Sequence, residues 1–412
     1  MDAQDRRVPG NAVRPDWRFP DWRFLTTLGS VTLLGPLSVH AFLPVMPAVK
    51  SVFGIDDALA GSSFSVTLLV MAFATLIYGS LSDRCGRRPV LLAGLALFIA
   101  GSALSGLAAS FAGFIVGRIL QALGAGCGVT LARAIARDAY GADGLVKVIA
   151  YLTMAYSMGP MISPLVGGLL TDTLGWRGVF WFAAGCGLLI GIASWRVLVE
   201  TLPRAARTGG TSGGFLRDYL QLFSHLRFCG FVLQSGFSSG CFYTLAAASS
   251  FLMNDYLGRS ATEFGSYFVL FPLGFFLGNL ASSRISHRFS IETMVLAGSV
   301  INVVAISAMS ACILAGYLTP LVLFIPGFLI TFGQGIALPN SATGAMRVIP
   351  RLSGTAAGVG VFFQAFLGAL LAQLYSMISD GTPIPMVEVV SASSILMLAM
   401  SLLPIIAKRS KA

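Results

Sequence analysis

The chain has 412 residues, of which 56% are hydrophobic and only 11% charged. Water cannot solvate the surface of such a composition, which excludes a soluble globular domain. The formal net charge of +10 is dispersed over several short segments. That argues against a nucleic-acid-binding face and reads as a topology signal, with some attraction to anionic membrane lipids.

Residues 1–24 form a polar leader, expected on the cytoplasmic side and without a cleavable signal peptide. It holds a tandem pentapeptide, Pro15-Asp-Trp-Arg-Phe19 and Pro20-Asp-Trp-Arg-Phe24. This repeat reads either as a partner- or lipid-binding tag or as a duplicated interfacial anchor of Trp and Arg. A helix needs about 20 apolar residues to cross the hydrocarbon layer. Six such runs follow at 25–45, 61–80, 90–109, 112–133, 147–170 and 178–198. Residues 199–224 are a polar linker, with the glycine-rich Thr208–Gly214 between Arg207 and Arg217. A second set of six runs occupies 228–252, 264–283, 292–314, 318–343, 354–377 and 387–407, before a short tail at 408–412. The runs are continuous rather than alternating, which disfavours a β-barrel. The expected fold is an all-α integral membrane protein of 12 transmembrane helices in two six-helix halves, residues 25–198 and 225–407.

Among 27 Lys and Arg, Arg118 falls within a run, and Lys50, Arg177 and Arg259 fall in loops of one side. All the others sit at the termini, in loops or at run ends of the opposite side, which places both termini in the cytoplasm. Six scattered cysteines form neither a CxxC site nor a disulfide framework. His40, His225 and His287 are too far apart in sequence for a metal-ligand cluster. No phosphate-binding loop is present, and neither cofactor nor metal is expected.

Several stretches carry chemistry. His40 stands just ahead of Phe42-Leu-Pro-Val-Met-Pro47 in the first run. The dense charged turn Gly79-Ser-Leu-Ser-Asp83-Arg84-Cys-Gly86-Arg87-Arg88-Pro89 separates the second and third runs. A weaker copy, Arg284-x-x-His287-Arg288, follows the eighth run, with Ser283 in the place of Asp83. The fourth run contains Gly117-Arg118-Ile-Leu-Gln121-Ala-Leu-Gly124. A charge near the bilayer centre costs on the order of 2.5–3.5 kcal/mol by insertion scales and faces a partner or a watery cavity. Arg118 therefore either tunes a protonation site and responds to substrate, or locks helices through carbonyls and Gln121. In the fifth run Gly159, Pro160, Pro164, Gly167 and Gly168 combine broken hydrogen bonding with close backbone approach. They read as a kink that sets pore closure, or as close packing alone. Tyr156, Gln234, Tyr243, Asn340 and Gln364 lie within runs and are substrate-pore candidates, each equally readable as an interhelical hydrogen bond.

The charged turn resembles the loop between helices 2 and 3 of major facilitator superfamily transporters, Gly-x-Leu-(Ser/Ala)-Asp-Arg-x-Gly-Arg-Arg, at every specified position. Leu131-Ala-Arg133-Ala-Ile-Ala-Arg137-Asp138-Ala-Tyr140 resembles the bicyclomycin and chloramphenicol resistance (Bcr/CflA) branch of drug:proton antiporters. Ser163-Pro164-Leu-Val-Gly167-Gly168 resembles the antiporter motif Gly-Pro-x-x-Gly-Gly, with Ser163 for the first glycine. The resemblance implies an inner-membrane multidrug efflux antiporter, a monomer that exchanges a small amphipathic molecule for protons by alternating access. It gives Gly79, Asp83, Arg84, Gly86, Arg87 and Arg88 the role of a conformational gate, and His40, Arg118 and Gln121 that of proton-coupling or pore residues. His40 departs from the branch, which usually carries Asp there. Imidazole remains a feasible proton site, with its sign reversed, because it gains rather than loses charge on protonation. A neutral histidine that hydrogen-bonds in the pore or binds substrate is the rival reading. A metabolite or siderophore-type carrier, or an uptake facilitator, fits the same scaffold. A membrane enzyme or sensor would need an acid/base or nucleophile cluster that the sequence lacks.

Overall fold

The computed structural model describes residues 22–203 and 215–409, and every regular element among them is helical. The first half supplies α1 (Trp22–Phe53), α2 (Asp57–Cys85), α3 (Arg87–Leu107), α4 (Phe111–Tyr140), α5 (Lys147–Leu174) and α6 (Trp176–Val197). The short helix Phe215–Phe223 leads into the second half. That half comprises α7 (Leu226–Phe251), α8 (Ala261–Ile285), α9 (Ile291–Leu314), α10 (Pro320–Val348), α11 (Pro350–Ile378) and α12 (Ile384–Lys408). Most of the tandem pentapeptide and all of Thr208–Gly214 lie outside the described residues. Of the repeat's second copy, Phe24 is buried edge-on to Tyr140 and Trp22 is exposed beside Tyr151.

Among the described residues, eleven helices are long and apolar enough to cross a membrane. The helix α7 matches them in length but carries Gln234, Ser235, Ser238, Ser239, Ser249 and Ser250, all buried against protein. Shielding from lipid is what lets a spanning helix hold so many hydroxyls. Elsewhere the outer surface is what lipid requires: Leu174, Leu189, Met377 and Ile395 are all largely exposed.

Helix starts follow side-chain capping. Asp56 accepts the Leu59 amide, Ser110 that of Gly113, Ser260 that of Glu263 and Ser290 that of Thr293. The segment between the apolar runs that end at 133 and begin at 147 is itself helical. Helical hydrogen bonding continues from Phe111 to Leu174, and the two arms fold back so that Arg133 and Ile149 line one cavity.

The helix α1 is broken rather than straight, and its prolines explain where. It is helical over Leu34–Val39, loosens at His40, tightens over Leu43–Val45 and resumes at Met46. Pro44 and Pro47 offer no amide to the carbonyls of His40 and Leu43. The Leu43 carbonyl instead accepts the Met46 amide and, from α7, the Ser250 hydroxyl at 2.6 Å.

Within each half, the third and fourth helices meet backbone to backbone. A β-carbon at Gly101 would stand 2.2 Å from the Gln121 nitrogen, and one at Gly298 would stand 2.4 Å from the Gly333 oxygen. Two apolar cores belong to single halves, one around Phe24, Phe98 and Leu131, the other around Phe228, Phe231 and Val295. A third is shared by both halves and includes Phe42, Phe64, Leu245, Phe268 and Tyr375. It lies toward the end opposite Trp22 and Lys408, here termed the distal end; the other is the terminal end. The bundle is therefore shut distally, while at the terminal end Gly79, Gly354 and Gly358 all face open space.

Candidate functional site

At the terminal end, the charged turn is organised around Arg87, which is 3% exposed. Gly86 has φ +100°, a conformation open to glycine, and so separates α2 from α3 without a loop. The Arg87 guanidinium contacts Asp83 at 2.6 Å and Asp138 of α4 at 2.8 Å, and donates to the Ser82 hydroxyl at 2.6 Å. Its own amide donates to Glu200, which also accepts the Leu202 amide. Arg88 donates to the Trp195 carbonyl at 2.7 Å. The turn thus ties α2, α3, α4 and the end of α6 into one block. Arg84 projects outward, and Asp83, 51% exposed, pairs within its own half. A cavity of about 440 Å³ beside it is lined by Asp83, Arg87, Thr130, Arg133 and Arg137. The second copy has no comparable block: Arg284 and Arg288 are exposed, and Arg288 donates to His287.

Deeper in the first half, Arg118 is 1% exposed. Its Nη1 donates to the Ser38 carbonyl of α1 at 3.0 Å and to Gln121 Oε1. Gln121 passes the connection to α3 by donating to Ser102 at 2.9 Å. The guanidinium lies 4.1 Å above the Phe42 ring and 5.8 Å from that of Phe180, a cation–π setting. Among the described residues no acid pairs with it, and Nε and Nη2 have no hydrogen-bond partner. The site holds a positive charge with spare donors, suited to meeting an acceptor that comes and goes.

His40, two residues beyond Ser38, sits at the loosened point of α1. Its ring faces the other half, 6.4 Å from both Phe242 and Phe268, and Nδ1 has no hydrogen-bond partner. The imidazole therefore lies at the junction of the halves, under the shared core.

The helix 5 residues sit along the distal closure. Gly159 rests on Pro36, and Gly167 on the Ala41 carbonyl, where a β-carbon would approach to 2.3 Å in each case. Across the halves, a β-carbon at Gly168 would stand 2.2 Å from the Ala261 oxygen, and one at Gly265 would stand 2.5 Å from the Pro164 oxygen. The Gly-Pro stretch of α5 is thus a backbone-to-backbone seam with α8. On the opposite seam Gly61 abuts Ser376, and Phe73 meets Phe362 at 5.2 Å.

The pore candidates divide. Gln234 is fully buried, donates to Ser299 and accepts from Ser341. Asn340 donates to Ser282 and to the Ile336 carbonyl. Both serve as interhelical ties in this conformation. Tyr243 packs edge-on against Phe242 and at a tilt against Phe64 at the junction. Tyr156 is half-buried on α5. Gln364 is half-buried on α11.

Sequence reasoning missed Ser38, Ser102 and Gln334, whose amide donates to the Ser238 carbonyl. It also missed the distal ion pairs of Lys50 with Asp57 and Asp255. Nothing marks the serines in the sequence. The charges of Lys50 and Asp255 were visible, but their partnership joins positions 205 residues apart.

The geometry has known counterparts. The chain is 27% identical over 374 residues to the uncharacterized MFS-type transporter YdgK of Bacillus subtilis (strain 168), covering 90% of this chain and 92% of that one. It is 29% identical over 369 residues to multidrug resistance protein D of Escherichia coli (strain K12), covering 86% and 88%. The fold is similar to the crystal structure of a bacterial homolog of the human lysosomal transporter Spinster, inward-facing and unoccupied. That likeness has a TM-score of 0.72 at 19% identity, over 94% of this chain and 96% of that one. The family model described as Major Facilitator Superfamily matches residues 28–372, and the chain belongs to that superfamily of membrane transporters.

Proposed function

We propose that this transporter exports small amphipathic, drug-like compounds across a bacterial inner membrane by alternating access, driven by protons. The carrying observation is the asymmetry of the bundle: the backbone seams and the core shared by both halves lie toward the distal end, whereas the two other cores each belong to a single half. The Lys and Arg distribution supports a cytoplasmic terminal end, and in this reading the structure corresponds to the state that loads from inside. The multidrug resistance name of a relative supports the cargo class. In this reading cargo lodges near Tyr156, Tyr243 and Gln364, while Arg118, Gln121 and His40 couple its movement to protons. Asp83, now paired with Arg87, makes its alternative contact when the terminal end closes.

Counterflow in proteoliposomes with a compound panel, under pH gradients of either sign, tests the reading. Drug exchange that accelerates with an opposing proton gradient is expected, with the proton-to-drug ratio reduced in His40→Ala. Exchange indifferent to the gradient would overturn proton coupling, and an unaltered ratio in His40→Ala would remove that residue from the proton path.

A further inference from the structure

The distal end is held by polar contacts as well as by packing. Lys50, at the end of α1, places its ammonium 2.7 Å from Asp57 of α2 and 2.7 Å from Asp255, in the wide turn after α7. Asp57 also accepts the Ser379 hydroxyl of the second half at 2.7 Å. Beside it the Gln373 amide donates to the Ala58 carbonyl at 3.2 Å. On the other seam Asp172, at the end of α5, accepts the Thr262 amide in the first turn of α8 at 2.8 Å. There it lies against the positive end of a helix dipole.

We propose that Lys50, Asp255 and Asp172 form a two-point latch that biases the distal end toward its shut state. This rests on the alternating-access reading above. The arrangement around Lys50 is what makes it a latch rather than a fixed brace. One of its two acids belongs to its own half, and the other departs with the second half when the end opens. Lys50 keeps Asp57 throughout, so separation never leaves a bare ammonium at the membrane face. Asp172 is exposed, so water replaces the Thr262 amide as the other seam parts. Both ties therefore break into solvated or paired groups, and the cost of release stays small. Lys50 is 30% and Asp255 35% exposed, in the range where an ion pair contributes about 0.2–1 kcal/mol.

The test is a distance measurement between spin labels at Leu174 and Tyr317. Both are exposed and stand in opposite halves at the distal end. The four accessible cysteines, Cys85, Cys186, Cys229 and Cys312, are replaced by serine beforehand. Lys50→Met is expected to raise the open-to-closed ratio about 1.5- to 5-fold, and Lys50→Arg to leave it near wild type. Asp255→Asn is expected to shift the ratio alone but to add nothing in the Lys50→Met background. Asp172→Asn, on the separate seam, is expected to add in either background. An unshifted ratio in both Lys50→Met and Asp255→Asn would overturn the proposal, as would full additivity of those two. Should Lys50→Met fail to fold, Asp255→Asn alone decides. Distances are read without cargo, so failure of the drug-export reading leaves this outcome intact, and counterflow that survives an unshifted ratio isolates failure of the latch.

Discussion

Arg118 and Arg87 are both buried arginines, and they are stabilised in opposite ways. Arg87 meets two acids and a hydroxyl; Arg118 meets a carbonyl, an amide oxygen and two ring faces. Removing the Arg118 charge relieves a desolvation cost that offsets the lost hydrogen bonds. Arg118→Met is therefore expected to change stability by no more than about 2 kcal/mol in thermal unfolding while abolishing counterflow. For Arg87 the two acids differ in environment: Asp138 is 16% exposed and Asp83 is 51%. Asp83→Asn leaves the Asp138 contact in place and is expected to cost at most about 1 kcal/mol. Asp138→Asn weakens the more buried pair and is expected to cost about 1–3 kcal/mol. Equal losses of melting temperature would contradict this ranking. Because Asp83 is proposed to act in the gate, Asp83→Asn is also expected to impair counterflow in protein that inserts and folds normally.

At the scale of elements, the glycines and prolines decide which helices touch and where they bend. In α5 the distal glycines abut α1 and α8, whereas Gly354 and Gly358 of α11 face open space. A side chain at Gly168 has no room while the seam is shut. Gly168→Val is expected to hold the distal end open, lengthening the Leu174–Tyr317 distance, whereas Gly358→Ala leaves it unchanged. A closed distribution in Gly168→Val would mean that the seam yields elsewhere.

The spanning helices were legible because lipid enforces about 20 apolar residues per crossing; their starts, set by the caps Asp56, Ser110, Ser260 and Ser290, fall slightly ahead of the apolar runs. The helical continuation beyond Arg133 was not legible, since polar residues at a membrane face suit a loop and a helix alike. The residues of the charged turn and of the fourth run stood out because charge is costly near lipid. Their partners did not: Ser38 and Ser102 resemble every other serine, and Glu200 reaches Arg87 across 113 residues. Pairing across a fold is a property of packing, which single-chain spacing does not carry.

For the molecule as a whole, the unbroken helical path from Phe111 to Leu174 joins two distant events. Asp138 on its first arm grips the charged turn at the terminal end, and Asp172 on its second arm caps α8 at the distal end. The second arm, 28 residues long, measures about 42 Å at 1.5 Å per residue. The path doubles back between Tyr140 and Lys147, so grip and cap lie on two antiparallel arms of one continuous chain segment. If a tilt that pulls Asp172 from its seat also moves the block around Arg87, the first half turns as a single lever, and under the proposed alternating access one face of the membrane opens as the other seals.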